Sequence, residues 1–376
     1  MMAPHAGLER RVVAALEATP PRIPVVLGGC GSGRTTALHA LVDRLGRDQC
    51  QYIDVERAAS TPERFLRAVT VSSPFPQPVA GDEPHSAREA FDHTLAYLSR
   101  AQNGNQPATF LLDEVLELRT FESFPGLRHV LRELLQSLAE SGNRFVLTSR
   151  YIARSHRLLR DGPARFEVIH LPALSPAEVA GMLPPMGEAT GEDREFLSRT
   201  IQALADGRAS YVHAISEATT DIGGRVGDPI SALTALLTSD GALAGWCAYR
   251  YELRLHRARG YGALKAILEI LAEEEPLTLT EIAQRLHRTP GSTKDYLSWL
   301  EDVDLVIARQ KRYSFDDPLL RLWVRLHCRP VPPGVDEVAR EVQSYALARL
   351  PQAEPSLAMA TAGVSERKGW GIIEID

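Results

Sequence analysis

Residues Gly28-Gly-Cys-Gly-Ser-Gly33-Arg34-Thr35-Thr36 follow a short apolar run at 24–27 and open a segment with helical spacing at 34–45. This stretch, hereafter the phosphate loop, fits the pattern G-x-x-x-x-G-K-S/T except for arginine at the lysine position. Glycines allow backbone turns that aim N–H groups inward, and a helix N-terminus adds partial positive charge. The pattern predicts that the loop binds a nucleotide's phosphates, with contacts from Gly28, Gly31, Ser32 and Gly33. The alternative is a glycine-rich turn that binds no ligand.

Arg34 is the departure from the pattern. A guanidinium keeps its positive charge and can hold phosphate, but it is larger and planar, and it follows the γ-phosphate less well than an ammonium does. We therefore expect binding of ATP to survive and hydrolysis to slow. Thr35 is expected to place its hydroxyl on Mg²⁺, and Thr36 to support the α-phosphate.

Two carboxylates, Asp113 and Glu114, end the apolar run at 109–113. In a parallel sheet the carboxyl ends of the strands form the edge where ligands sit. Asp113 suits the Mg²⁺ shell, and Glu114 suits a general base that polarises the attacking water. The alternative is a pair of solvated carboxylates in a strand-to-helix loop.

A further apolar run at 144–149 ends in Thr148, Ser149 and Arg150. Thr148 or Ser149 is expected to contact the γ-phosphate or the attacking water, and Arg150 to sense the γ-phosphate through a charge-assisted contact. An ordinary strand end with a solvated arginine is an equal alternative.

Strands alternating with helical patterns predict an α/β fold, a parallel sheet covered on both faces. No strand pattern follows 175 until 279–315, which reads as helix, turn, helix and two short strands. A glycine-rich segment at 221–228 indicates a linker, and 232–272 is predicted to be helical. We expect a core at 1–172, a helical lid at 173–225, a helical linker with a small C-terminal domain at 226–345, and a disordered tail at 346–376.

The composition excludes several classes of protein. The net charge is −6, which rules out a globally basic nucleic-acid coat. The four cysteines form no C-x-x-C pair, so a zinc site or a disulfide framework is not expected and a reducing cytoplasm fits best. No apolar run has the roughly 18 residues that a membrane span needs.

The order of these motifs resembles the AAA+ ATPases, and most closely the STAND branch that includes the archaeal-type ATPases. The segment at 282–315 looks like a winged helix, and 317–325 is similar to the D-P-x-x-R-x-W-V/F-R run that follows it in that branch. The resemblance implies that Gly33 to Thr36 form Walker A, that Asp113 and Glu114 form Walker B, and that Ser149 is near the sensor-1 position. Arg150 resembles the terminal arginine of STAND sensor strands. The resemblance also suggests Arg208 as the sensor-2 cation, and Arg154, Arg157 or Arg160 as an arginine finger between subunits of a homo-oligomer; a solvated face is the alternative for each.

The winged helix is a candidate reader of double-stranded DNA. Short polar and basic side chains suit groove and phosphate contacts. The predicted outward-facing residues are Ser292, Thr293 and Lys294 on the second helix, and Arg309, Lys311 and Arg312 in the wing. Nearby carboxylates oppose this, so packing on the core or on a protein partner is the alternative. Arg250, Arg254 and Arg257 are predicted to form a solvated helix face.

Two functions follow from these patterns. The first is an ATP-dependent switch with slow hydrolysis, whose winged helix contacts DNA or a protein partner. The second is a hydrolysis-deficient DNA-binding regulator that keeps the ATPase core as a scaffold.

Overall fold

The computed structural model describes residues 6–76, 83–160, 162–183, 191–220, 227–256 and 260–350. Most of the predicted linker at 221–228, the tail beyond 350 and Arg257 lie outside these ranges. Within them, no helix combines the length and the apolar character that crossing a bilayer requires.

The first part of the chain forms the predicted α/β core. Its elements are α1 (Ala6–Glu17), β1 (Ile23–Leu27), α2 (Arg34–Leu45), β2 (Cys50–Asp54), α3 (Val55–Ala58), α4 (Pro62–Val71), α5 (Ala87–Arg100), β3 (Gln102–Asn103), β4 (Gln106–Pro107), β5 (Thr109–Asp113), a 3-10 helix (Val115–Ser123), α6 (Val130–Glu140), β6 (Arg144–Ser149), α7 (Ile152–Arg160) and β7 (Phe166–His170).

Five of these strands form one parallel sheet in the order β2-β5-β6-β1-β7. Leu27 pairs with Ser149, and Asp54 with Asp113, so the carboxyl ends of neighbouring strands are level. Strand β6 lies between β1 and β5. The end of β6 is therefore held between the phosphate loop after β1 and the carboxylates after β5.

Both faces of the sheet are covered, as the run of fully buried residues in β1 and β5 requires. Apolar residues of α1 and α2 pack on one face, against Val26, Val146 and Ile169. Residues of α4, α5 and α6 pack on the other face, where Phe110 of β5 stacks on Phe145 of β6 with ring centroids 5.7 Å apart. This packing confirms the predicted fold class of the core.

The second part of the chain is mainly helical. Its elements are α8 (Pro176–Met182), α9 (Gly191–Ala205), α10 (Ala209–Thr219), α11 (Pro229–Leu237), α12 (Ala242–His256), α13 (Tyr261–Glu273), β8 (Leu277–Thr278), α14 (Leu279–Arg285), α15 (Pro290–Asp302), β9 (Val306–Arg309), β10 (Arg312–Phe315), α16 (Pro318–His327) and α17 (Val335–Arg349). The segment 232–272, which is predicted to be helical, contains α12 and most of α11 and α13. Gly260 begins α13 with φ 88°, a left-handed conformation that favours glycine.

Two apolar clusters organise this part of the chain. One joins the lid helices α8–α10 to α11, α17 and one face of α16. The other is the winged-helix core, formed by α12–α15, the small sheet β8-β10-β9 and the opposite face of α16. The boundaries expected at 225 and 345 therefore do not coincide with the limits of either cluster, and the second falls inside α17.

Candidate functional site

A cavity of about 460 Å³ lies at the carboxyl edge of the parallel sheet. The phosphate loop, the ends of β2, β5 and β6, and one face of α12 line it. This is the edge at which ligands bind in open α/β sheets.

The phosphate loop has the predicted backbone. Gly31 and Gly33 have φ 75° and 98°, which residues with a Cβ rarely adopt, and Gly33 is the N-cap of α2. A Cβ on Gly28 would lie 2.7 Å from the Ser32 hydroxyl, so the turn also needs glycine there for space. Thr36 is exposed in the first turn of α2.

Thr35 and Asp113 meet in the cavity. The Thr35 hydroxyl donates to Asp113 Oδ2 at 2.7 Å, and the Tyr52 hydroxyl donates to the same oxygen at 3.0 Å. The Thr148 hydroxyl donates to Asp113 Oδ1. The structure thus brings together the two residues predicted to hold Mg²⁺, and it adds Tyr52, which no sequence motif marked.

Glu114 lies between two guanidinium groups. Its Oε1 accepts from Arg34 Nη2 at 2.5 Å, while Oε2 accepts from the Arg150 amide at 3.0 Å and lies 3.1 Å from Arg150 Nε. Burial by itself would raise the pKa of Glu114, but Arg34 and Arg150 outweigh it and hold the pKa below its usual value. Glu114 also has φ 59°, an uncommon conformation for a residue other than glycine, and such residues cluster at functional sites.

The Arg34 side chain turns back onto its own loop. Its Nη1 donates to the carbonyl oxygens of Gly28 and Gly29, the latter at 2.5 Å, and lies 3.2 Å from the Ser32 hydroxyl. Only 8% of the side chain is exposed. Arg34 therefore connects the phosphate loop to Glu114, an arrangement that the sequence pattern did not predict.

The two hydroxyl groups at the end of β6, those of Thr148 and Ser149, have different hydrogen-bond partners. Thr148 contacts Asp113, and its hydroxyl oxygen accepts from the Glu114 amide at 3.0 Å. The Ser149 hydroxyl is buried and accepts from the Tyr151 amide at 3.1 Å. The sequence left open which of these two hydroxyls reaches the site, and Thr148 is the one that bonds to the carboxylate of Asp113. Arg150 lines the cavity and pairs with Glu56 as well as Glu114.

Arg208 reaches the phosphate loop from the lid, but its ion pair is with Asp316, after the wing. Its Nη2 donates to the carbonyl oxygen and carboxylate of Asp316 at 2.7 and 3.0 Å, and its Nη1 lies 3.4 Å from the Cys30 carbonyl oxygen. In this conformation Arg208 joins the lid to the winged helix and does not line the cavity.

The winged helix packs directly on the core. Asp304 Oδ2 accepts from the Ile152 amide at 2.9 Å, at the start of α7, and Asp302 pairs with Arg157. Burial raises the pKa of Asp304 to about 7, although the neighbouring Arg254 opposes the rise. Arg157, one of the candidate arginine fingers, is therefore engaged within its own chain.

The candidate DNA-contacting residues are not all exposed. Thr293 is fully buried and its hydroxyl donates to the Thr289 carbonyl oxygen, so the prediction that it faces outward is wrong: its position in the first turn of α15 points it into the core. Ser292 is half-buried and Lys294 is exposed. In the wing, Arg309, Lys311 and Arg312 are all exposed, and Arg312 also donates to the Pro276 carbonyl oxygen at 3.1 Å.

The prediction of a solvated arginine face on α12 is also wrong for the two residues that the structure describes. Arg250 and Arg254 line the cavity, and Arg254 is only 4% exposed. Burial would raise the pKa of the Cys30 thiol, yet Arg254, Arg150 and Arg34 together hold the pKa below its usual value. The arginines beside the phosphate loop thus favour the thiolate form of Cys30.

Comparisons with known proteins agree with this architecture. A family model described as winged helix-turn-helix DNA-binding matches residues 263–307. The fold is similar to a Walker-type ATPase of Pyrococcus abyssi, with TM-score 0.64 and 17% identity, covering 86% of this chain and 96% of that chain. No curated protein matches the sequence.

Two further solved structures match with lower TM-scores. Cdc6p of Pyrobaculum aerophilum has TM-score 0.42 and 14% identity, covering 93% of this chain and 96% of that one. Orc1 of Aeropyrum pernix, in complex with DNA, has TM-score 0.44 and 17% identity, covering 93% and 95%. TM-scores below 0.5 do not establish a shared fold, so the assignment rests on the sheet order, the phosphate loop, the Pyrococcus structure and the winged-helix match. The chain has a parallel-sheet core and an overall fold similar to that of the Walker-type ATPase of Pyrococcus abyssi, with a winged helix in its C-terminal half.

Proposed function

We propose that this chain binds ATP with Mg²⁺ in the cavity and acts as a nucleotide-dependent switch of the STAND type. The observation that carries the proposal is the 2.7 Å contact between the Thr35 hydroxyl and Asp113, directly below the phosphate loop. A hydroxyl and a carboxylate side by side, at a helix N-terminus and at the carboxyl edge of a parallel sheet, suit a magnesium triphosphate. The cytoplasmic location and the homo-oligomer remain predictions.

The oxygen donors of Thr35 and Asp113 fit Mg²⁺, which prefers oxygen ligands and keeps several waters. When bound, the ion would neutralise charge on the terminal phosphates. The phosphate-loop amides would orient the triphosphate, and Thr148 holds Asp113 in place. Glu114 is the group that would take a proton from the attacking water.

Thr35→Ala tests the site. We expect the affinity for ATP in the presence of Mg²⁺ to fall about tenfold or more, because a contact to a charged group contributes roughly 1.5–3 kcal/mol. Affinity without Mg²⁺ should change little. Titration calorimetry with and without Mg²⁺ measures both, and Thr35→Ser is the matched control because it keeps the hydroxyl. Equal Mg²⁺-dependent binding by wild type and Thr35→Ala would reject the site.

We further propose that the exposed basic residues of the winged helix contact duplex DNA. The two-residue turn at Gln310 and Lys311, with φ 50° and 64°, extends Lys311 from the wing, and Lys294 is exposed on α15. These positions suit contacts to phosphate, which set affinity more than sequence preference.

Changing Lys294 and Lys311 together to alanine is expected to weaken DNA binding at low salt. The slope of log K against log salt should fall by about 2, since each phosphate contact contributes about 0.9. Fluorescence anisotropy over a salt series measures the slope. Arg199→Ala, on the exposed face of α9, should leave it unchanged. An unaltered slope in the double variant would favour a protein partner for the winged helix.

The second candidate is the hydrolysis-deficient DNA-binding regulator. It is favoured by the two guanidinium groups on Glu114, which occupy both carboxylate oxygens. This function predicts nucleotide and DNA binding without turnover. Phosphate release measured under saturating ATP separates the two functions.

A further inference from the structure

Helix α12 supplies a wall of the cavity from outside the ATPase core. Trp246, Tyr249, Arg250, Leu253 and Arg254 line it. Residues three and four apart share one side of a helix, so this is a continuous face. The opposite side of α12, with Cys247, Tyr251 and Leu255, is part of the winged-helix core. A ligand that contacts the cavity face would therefore hold the winged helix on the ATPase core.

Arg250, on the cavity face of α12, has a hydrogen-bond donor that is not used. Its Nη2 donates to the Ser210 hydroxyl at 3.2 Å, and its guanidinium lies 5.3 Å from the centre of the Tyr211 ring. Its Nη1 is buried and has no hydrogen-bond partner among the residues that the structure describes. A buried donor without a partner is costly, so this position indicates a missing acceptor.

The position of Arg250 fits a phosphate. A Cβ on Gly31 would lie 2.9 Å from Arg250 Nη2 and 3.1 Å from Nη1, so the guanidinium lies directly against the phosphate loop. Arg34 and Arg150 have carboxylate partners, and Arg254 donates to the Asp304 carbonyl oxygen. Within the described part of the chain, Arg250 forms no ion pair. Its charge is thus free for an anion in the cavity.

We propose that Arg250 binds the terminal phosphate of a nucleoside triphosphate, and so makes the triphosphate a bridge between the ATPase core and the winged helix. The terminal phosphate is specified because Glu114 and Arg150 line the same cavity and attack occurs at that phosphate. A diphosphate would lack this contact, and α12 would lose one of its attachments to the core. The inference rests on the proposed ATP site. It assigns the contact between an arginine and the terminal phosphate to a residue of the same chain, whereas the sequence suggested an arginine from a neighbouring subunit.

The test compares the affinities of ATP and ADP for Arg250→Ala, Arg250→Gln and the control Arg132→Ala, whose side chain is exposed on α6. We expect the ATP affinity of both Arg250 variants to fall about tenfold, because one charge-assisted hydrogen bond contributes about that much. Their ADP affinity should be nearly unchanged. Hydrogen exchange gives a second readout: ATP should protect the α12 amides in wild type and in Arg132→Ala, but not in the Arg250 variants.

The outcomes separate the two proposals. If wild type binds neither nucleotide, the proposed function fails and this inference fails with it. If wild type binds both and the Arg250 variants match it for ATP, only the inference is overturned. Equal losses for ATP and ADP would also overturn it, because Arg250 would then not distinguish the terminal phosphate.

Discussion

Replacing Arg34 by lysine is expected to raise the steady-state rate of ATP hydrolysis at least tenfold, about 1.4 kcal/mol in activation free energy. Arg34 contacts Glu114 at 2.5 Å and at the same time binds the phosphate-loop carbonyl oxygens of Gly28 and Gly29. Its planar fork fixes these contacts together, whereas lysine presents a single charge on a flexible stem.

The expected gain follows from the state of Glu114. A general base works best when its pKa is near the working pH, and the two arginines hold the pKa of Glu114 below its usual value. Both carboxylate oxygens are also occupied, which leaves little room for a water to be polarised. Lysine has no planar fork that could bind Glu114 and the loop carbonyl oxygens together, so Oε1 becomes available to a water.

Phosphate release under saturating ATP and Mg²⁺ measures the effect. Arg44→Lys, an exposed substitution on the same helix, controls for the change of residue type. Adding Glu114→Gln to the Arg34→Lys variant should abolish the gain, because the gain depends on that carboxylate. A rate equal to or lower than wild type in Arg34→Lys would show that Arg34 does not restrain Glu114.

The elements that carry the site were predictable because local chemistry determines them. Short apolar runs predicted β1, β5 and β6. The glycines at positions where the backbone has a positive φ predicted the phosphate loop. The carboxyl edge of a parallel sheet then places Asp113 beside Thr35 without knowledge of any side-chain contact. The strand order, with β6 next to β5, explains why the Thr148 hydroxyl of β6 reaches the carboxylate of Asp113.

The other features of the site depend on which surfaces pack against each other, and the periodicity of the sequence does not show this. Arg250 and Arg254 share one face of a helix whether that face contacts solvent or the phosphate loop. Their spacing does not distinguish the two cases, and a solvated face was the prediction. Thr293 was predicted outward from its polarity, but its hydroxyl is satisfied by the carbonyl oxygen one turn earlier, which removes the cost of burying it. Arg34 was expected to extend toward phosphate because Glu114 was not known to lie within its reach.

Replacing Asp317 by alanine is expected to lower the free energy of unfolding at pH 7 by about 3 kcal/mol or more, because breaking a buried charged network leaves its partners uncompensated. Asp317 is 2% exposed and lies where the lid meets the winged helix. Its Oδ1 accepts from the amides of Leu319 and Leu320 at 3.1 Å, and its Oδ2 accepts from the Tyr211 hydroxyl at 2.8 Å. Arg208 lies 3.9 Å away.

Asp228→Ala is the matched control for this change. Asp228 caps α11 as Asp317 caps α16, each before a proline, but Asp228 is exposed. Loss of an exposed cap should cost about 1 kcal/mol. The difference between the two variants, measured by urea unfolding, isolates the contribution of the buried network. Equal losses would show that Asp317 acts only as a helix cap.

The contribution of Asp317 to the free energy of unfolding should also depend on pH, and its direction can be stated. Burial would raise the pKa of Asp317, but Arg208, the Tyr211 hydroxyl and the Leu320 amide hold it below its usual value. A carboxylate with a lowered folded-state pKa stabilises the fold above its unfolded pKa, about 3.9, and loses that contribution as the pH falls through the folded-state pKa. The stabilities of wild type and Asp317→Ala should therefore approach each other in acid, whereas the gap would not change with pH if Asp317 stabilised the fold by packing alone.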